Sequence, residues 1–260
     1  LLVVLLVCAP LGFVVEQAST AGGALDVLTR PALRTLMVHT VLLSVGVTSL
    51  CVVVGFAAAY FVERTALPFP RVWTILLAMP LAVPEYVHSY SWVSLAPSVR
   101  GYWGAVLVMS TSLYPLVFLP CLASLRRTDG ALEEVARSLG SRAWGTALRV
   151  TLPSCRSAVT GGALLVSLYL LGEHGAFASL RYQTFATAIY NDYKLGFDGA
   201  SAAVLSLVLC GLALLVVGVD LKATGTAPTA RRGELSRRPT RTALGRSIAA
   251  ALALLGLQTS

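Results

Sequence analysis

Between Arg34 and Glu63 lie 28 consecutive residues without an Asp, Glu, Lys or Arg. A helix rises about 1.5 Å per residue, so about 20 apolar residues cross the roughly 30 Å hydrocarbon core of a bilayer. A helix satisfies its own backbone polar groups along such a run, and no small soluble core would bury it. The pattern recurs. A stretch of 25 uncharged residues separates Arg100 from Arg126, and another apolar run extends from Gly199 to Val219. Composition agrees, with 56% of the 260 residues hydrophobic and only 12% charged, about half the charged share of a globular domain. Neither a disordered chain nor a fibrous repeat carries this much Leu, Val and Ala. The expected fold class is an all-α polytopic membrane protein.

Six spans are predicted. The first is the opening run from Leu1 to Val15. No Met and no charged segment precede it, so a span without its first turn fits better than a signal peptide. The second lies between Arg34 and Glu63. The third, from Val72 to about Leu95, is interrupted by Pro80, Pro84, Glu85 and His88. The fourth lies between Arg100 and Arg126, the fifth runs from about Ser157 to Gly172, and the sixth from Gly199 to Val219. Residues 1–219 thus form a six-span domain and 220–242 a basic linker. Residues 243–260 read as the start of a truncated seventh span.

Basic residues orient such a chain. With the N-terminus in the cytoplasm, the inner loops and linker hold fifteen of the 20 Lys and Arg, six of them between Arg126 and Arg156. The outer loops hold Arg30, Arg34, Arg100, Arg181 and Lys194. Both ends of the six-span domain are therefore expected inside, with membrane lipid as its solvent. This distribution accounts for the net charge of +8 without nucleic acid as a partner. The cysteines Cys8, Cys51, Cys121, Cys155 and Cys210 are isolated, with no CxxC and no Cys/His cluster. They read as small buried residues, and neither a metal site nor a cofactor is expected.

The loop after the fourth span carries the specific signal, TDGALEEVARSLGSRAWGTALRVTLPS. It reads as two short amphipathic helices around a glycine, a hairpin over about 129–153. Leu132, Val135, Ala136 and Leu139 share one face. Asp129 can cap the first helix, and Glu133 and Glu134 sit in its first turn, where the helix dipole favours anions. Gly140 stands where a helix ends. Ala143, Trp144, Ala147 and Leu148 mark one side of the second helix. The apolar face is open to two covers: the membrane surface with the chain's own spans, or a partner.

Glu134-x-Ala136, Gly140, nine residues and then Val150-x-Leu152-Pro153 resemble the EAA signature of binding-protein-dependent ABC importer permeases. The departures are Val135 for the second-position Ala and Val150 for Ile. The resemblance implies that Glu134, Ala136, Gly140, Val150, Leu152 and Pro153 belong to a coupling helix that docks on a cytoplasmic ABC ATPase, itself expected as a dimer. HTVLLSVGVTSLCVVVGFAAAYFVERTALPFPRVW is similar to the second span and following turn of that family, and MPLAVPEYVHSYSW to its broken third span. GAFASLRYQTFATAIYNDY looks most like the iron(III) permeases, in which two six-span halves are fused. The resemblance implies that this chain is the first half plus, over 243–260, the start of a second transmembrane half. The implied partners are an ATPase subunit, a periplasmic substrate-binding protein and a second permease half, in a bacterial inner membrane. The implied cargo is iron(III), with thiamine, polyamine and phosphonate importers sharing the motif. A membrane scaffold or enzyme is the reading from outside transport.

The chain is not expected to be an enzyme. It contains no GxxxxGK[ST], HExxH or GxSxG, so ATP hydrolysis would belong to a separate subunit. Ionisable groups at bilayer depth are costly and are functional candidates by default. Glu85 and His88, one turn apart after Pro84, are the candidate pathway-lining residues, with the outer membrane interface as their alternative setting. Glu173 and His174, beyond the fifth span, are open to a place facing the binding protein or the cavity mouth, with simple solvation as the expectation.

Overall fold

The computed structural model describes residues 2–20, 27, 29–65, 68–127, 135–136, 138–141, 143–196 and 198–225. All regular structure among them is helical. Helix α1 covers Leu2–Thr20 and α2 covers Pro31–Arg64. The broken third region follows as α3 (Pro70–Ala78), a 3₁₀ turn over Met79–Ala82, and α4 (Glu85–Leu95). Next come α5 (Gly101–Leu113) and α6 (Pro115–Arg127), then the short α7 (Ala143–Thr146). Helices α8 (Arg156–Gly172), α9 (Gly175–Ser179), α10 (Phe185–Lys194) and α11 (Gly199–Gly225) complete the described chain. The expected linker from 226 onward and the seventh apolar run lie outside the described residues.

Among the described residues, three helical stretches are long and apolar enough to cross a bilayer: Pro31–Arg64, Gly101–Arg127 and Gly199–Lys222. A fourth span follows if Ala147–Ser154 and Arg156–Gly172, bent by 72° at Cys155, count together. Helix α1 and the broken third region fall on the other two expected spans. The proline positions account for the break. Pro80 and Pro84 supply no backbone N–H, so the continuous ladder stops at Ala78 and restarts at Glu85.

The α5–α6 span is the axis of the fold. Val108, Met109, Leu113, Val117, Phe118, Cys121 and Leu125 on it are fully buried. Helix α2 covers one side with Leu43, Val47, Cys51 and Ala59, and α8 covers another with Val166 and Leu170. A second apolar cluster joins Ala18 of α1, Phe185 of α10 and Ala203, Val204 and Leu205 of α11. Exposed Val45, Val53, Ile75, Leu214 and Leu215 complete the pattern of a chain solvated by lipid rather than water.

Two glycines set the closeness of this packing. A Cβ on Gly55 would stand 2.9 Å from the Tyr114 carbonyl oxygen and 3.0 Å from the Phe118 nitrogen. One on Gly162 would stand 2.8 Å from Val117 Cα. Both α2 and α8 therefore press on residues 114–118 of the central span, where α5 passes into α6. Gly161 has open space at the same place. Gly162→Ala is expected to destabilise by about 1–3 kcal/mol through overpacking, while Gly161→Ala is neutral or slightly stabilising. Thermal midpoints of the two variants in one detergent check this.

Candidate functional site

The hairpin keeps the turn that its glycine requires. Gly140 has φ +85°, in the left-handed region that disfavours a Cβ. The Ser141 N–H donates to the Ala136 carbonyl at 3.0 Å, and the Leu139 N–H to Val135 at 3.1 Å. The first is the six-to-one bond of a Schellman motif, with Gly140 at its left-handed position. Nothing lies within 4 Å of where a Gly140 Cβ would be. Val135 and Leu139 are exposed, Leu139 by 83%. The first helix thus ends as its sequence predicts, and of its described apolar residues Val135 and Leu139 face outward while Ala136 is half-buried. Glu134, with residues 128–133, lies outside the described residues.

The second arm departs from a simple helix. After α7 the backbone widens into a π-helical turn over Ala147–Thr151, continues through Leu152–Ser154 and bends at Cys155. The Cys155 N–H is shared between the Thr151 and Leu152 carbonyls, both at 3.1 Å. Ala147 and Thr151 are buried, whereas Leu148 is exposed, so Ala147 and Leu148 do not share the face that helical spacing gives them. Consecutive residues of a helix already point about 100° apart, so the edge of the buried face falls between these two. Val150 and Leu152 are half-buried and Pro153 is exposed.

The break in the third region builds a separate polar cluster. Glu85 opens α4, where its charge suits the helix dipole. The Tyr169 hydroxyl of α8 donates to Glu85 Oε2 at 2.5 Å. One turn along α4, the Trp92 indole donates to His88 Nε2 at 3.2 Å. An indole N–H only donates, so His88 Nε2 is the acceptor of this bond. Thr111 Oγ1 of α5 lies 3.2 Å from the same His88 nitrogen. His88 and Glu85 thus bind α4 to two different spans.

The segment after α8 closes this cluster. Glu173 Oε1 accepts from the Ala176 N–H at 2.8 Å and so caps the short α9. Ser179 of α9 donates to the fully buried Ser89 of α4 at 2.8 Å. His174 stacks on Tyr190, with ring centroids 4.0 Å apart. Glu173 and His174 are half-buried and engaged, which corrects the expectation that they are simply solvated. The partners that the sequence does not single out are Thr111 and Tyr169. Their contacts join residues 23 and 84 positions apart.

Further cavities among the described residues include two away from this cluster. One of about 360 Å³ between α2, α8 and α11 is lined by Thr40, Ser44, Thr48 and Ser167 among apolar residues. Thr48 and Ser167 are hydrogen-bonded across it at 3.0 Å. The other, of about 440 Å³, lies near Arg30, Asn191 and Asp192. Among the described residues, no three His, Cys, Asp or Glu side chains converge as a metal site would require.

No family model matches the sequence. The chain is 33% identical over 241 residues to the Fe(3+)-transport system permease protein FbpB 2 of Haemophilus influenzae. That match takes in 92% of this chain and 48% of the relative, so the chain spans about half the relative's length. It is 31% identical over 216 residues to the molybdenum transport system permease protein ModB of Mycobacterium tuberculosis, covering 75% of this chain and 81% of that protein. Among solved structures, a membrane chain of a bacterial alginate ABC transporter, in complex with an alginate pentasaccharide-bound periplasmic protein, shares the fold. The TM-score is 0.65 at 11% identity, over 86% of this chain and 90% of that one. Sequence relatives and helical architecture agree: this chain belongs to the transmembrane permeases of ABC transporters.

Proposed function

We propose that this chain is a permease subunit of an ATP-driven importer for iron(III), passing the ion from a periplasmic binding protein to the cytoplasm by alternating access. The observation that carries the cargo is the 33% identity to the Fe(3+) permease over 92% of the chain. The resemblance of the 175–193 region to iron permeases supports the same reading. The six-span domain has its N-terminus in the cytoplasm, as its basic loops favour. The hairpin then faces the cytoplasm.

In this reading the exposed residues around Gly140 dock on a separate ATPase dimer. Glu134, Ala136, Gly140, Val150, Leu152 and Pro153 form the coupling element. The bend at Cys155 carries its movement into α8. Glu85 and His88 line the translocation path together with Tyr169, and a second permease half supplies the facing wall. A half-buried carboxylate that binds a neighbouring span fits a protein-facing position better than the lipid interface. The periplasmic partner is supported by the alginate transporter, solved with a periplasmic protein.

A molybdenum cargo is the second reading, favoured by the 31% identity to a permease of which the chain covers 81%. Uptake separates the two. Proteoliposomes carrying the complete permease, its ATPase and its binding protein should accumulate ferric ion with ATP and leave molybdate outside. Molybdate uptake without ferric uptake would overturn the iron reading.

A further inference from the structure

The ends of α2 and α6 hold each other by reciprocal contacts just before the hairpin begins. Arg126 Nε of α6 donates to Glu63 Oε2 of α2 at 3.2 Å. Arg64 of α2 reaches the other way, its Nη2 donating to the Leu125 carbonyl of α6 at 3.2 Å. Arg126 Nη2 also lies 3.5 Å from Thr74 Oγ1, which brings in the start of the third region. Glu63 sits in the last turn of its helix, where the dipole disfavours a carboxylate. Its placement there is accounted for by the cation from α6.

The exit of the hairpin is built differently. Between Ala147 and Cys155 the chain passes through a π turn, a proline and a 72° bend before α8. Entry and exit therefore have unequal mechanics: three elements are tied together at the first, and irregular backbone lies at the second. We propose that Glu63 and Arg126 are positioning residues for energy coupling. Their clamp holds α2, α3 and α6 as one fixed base, so that ATPase-driven movement of the hairpin goes into α8. This inference rests on the hairpin docking an ATPase as proposed above.

The pair is partly exposed, Arg126 by 49% and Glu63 by 26%. Exposed ion pairs contribute little to folding, so removing this one should leave insertion intact. Without the clamp, ATPase closure would be absorbed by splaying of α2 from α6 and would meet less resistance.

The test uses the complete permease assembled with its ATPase in proteoliposomes. Glu63→Gln, Arg126→Gln and the charge reversal Glu63→Arg/Arg126→Glu are compared with wild type. Both single variants should retain the ATPase on copurification and raise hydrolysis in the absence of binding protein at least about threefold. The charge reversal should return that rate to within about twofold of wild type. Ferric ion and molybdate, each tried as cargo, should show less uptake per ATP in the single variants. Wild-type hydrolysis rates in both singles, or a reversal no better than either single, would overturn the clamp. Loss of ATPase binding by wild type would instead overturn the docking reading, and the clamp with it. Uptake of molybdate alone would overturn only the iron cargo.

Discussion

Gly140→Val, made in the complete permease, is expected to insert in the membrane at wild-type abundance and to lose both ATPase association and uptake. Gly140 holds φ +85° and the Ser141–Ala136 bond depends on that turn. A left-handed backbone costs an L-residue about 1–2 kcal/mol, and a β-branched side chain fits it worst. The added side chain also enters space that is open within the chain, on the face proposed for docking. Gly140→Asn separates the two effects. Asn tolerates the left-handed region, so the turn survives while a side chain still projects. Its ATPase association is expected to fall about tenfold, equivalent to about 1.4 kcal/mol. Copurification of the ATPase, alongside membrane abundance, reads both. Wild-type association in Gly140→Val would show that the hairpin does not dock there.

Glu85→Leu is expected to reduce ferric uptake at least about tenfold, with folding and ATPase binding retained. The substitution removes the charge and leaves the Tyr169 hydroxyl without its acceptor. An unsatisfied hydroxyl costs about 1–3 kcal/mol when buried and less at the 39% exposure of Tyr169, so the protein should survive the change. Glu85→Gln keeps an acceptor for Tyr169 and loses only the charge. If the carboxylate lines a cation path, Gln should impair uptake nearly as much as Leu. If Glu85 only ties α4 to α8, Gln should transport like wild type. Tyr169→Phe, which frees the carboxylate without removing it, should be the mildest of the three. Initial uptake rates at equal membrane abundance check the order.

Much of this architecture is legible in the sequence because a bilayer imposes simple demands. The charge-free runs around Val47, Val108 and Leu207 mark long helices, and each is found. The prolines at 80 and 84 predict the break between Ala78 and Glu85. Gly140 predicts a left-handed helix end, and φ +85° supplies it. Other features depend on three-dimensional register. The widening to a π turn at Ala147–Thr151 has no marker in the helical spacing, and Leu148 is exposed although the spacing groups it with the buried Ala147. Glu85 is conspicuous as a charge in an apolar region, but Tyr169 is one aromatic among many until α4 and α8 meet. Glu173 looks like a solvated loop residue because its role as a cap depends on the turn into α9.

The most direct measurement of the central claim is ATP-dependent uptake of ferric ion by the complete permease, reconstituted with its ATPase and binding protein. The account predicts accumulation that requires all three components and hydrolysable ATP, and that is lost in Gly140→Val. Ferric accumulation that persists without the ATPase subunit, or that Gly140→Val leaves unchanged, would contradict it.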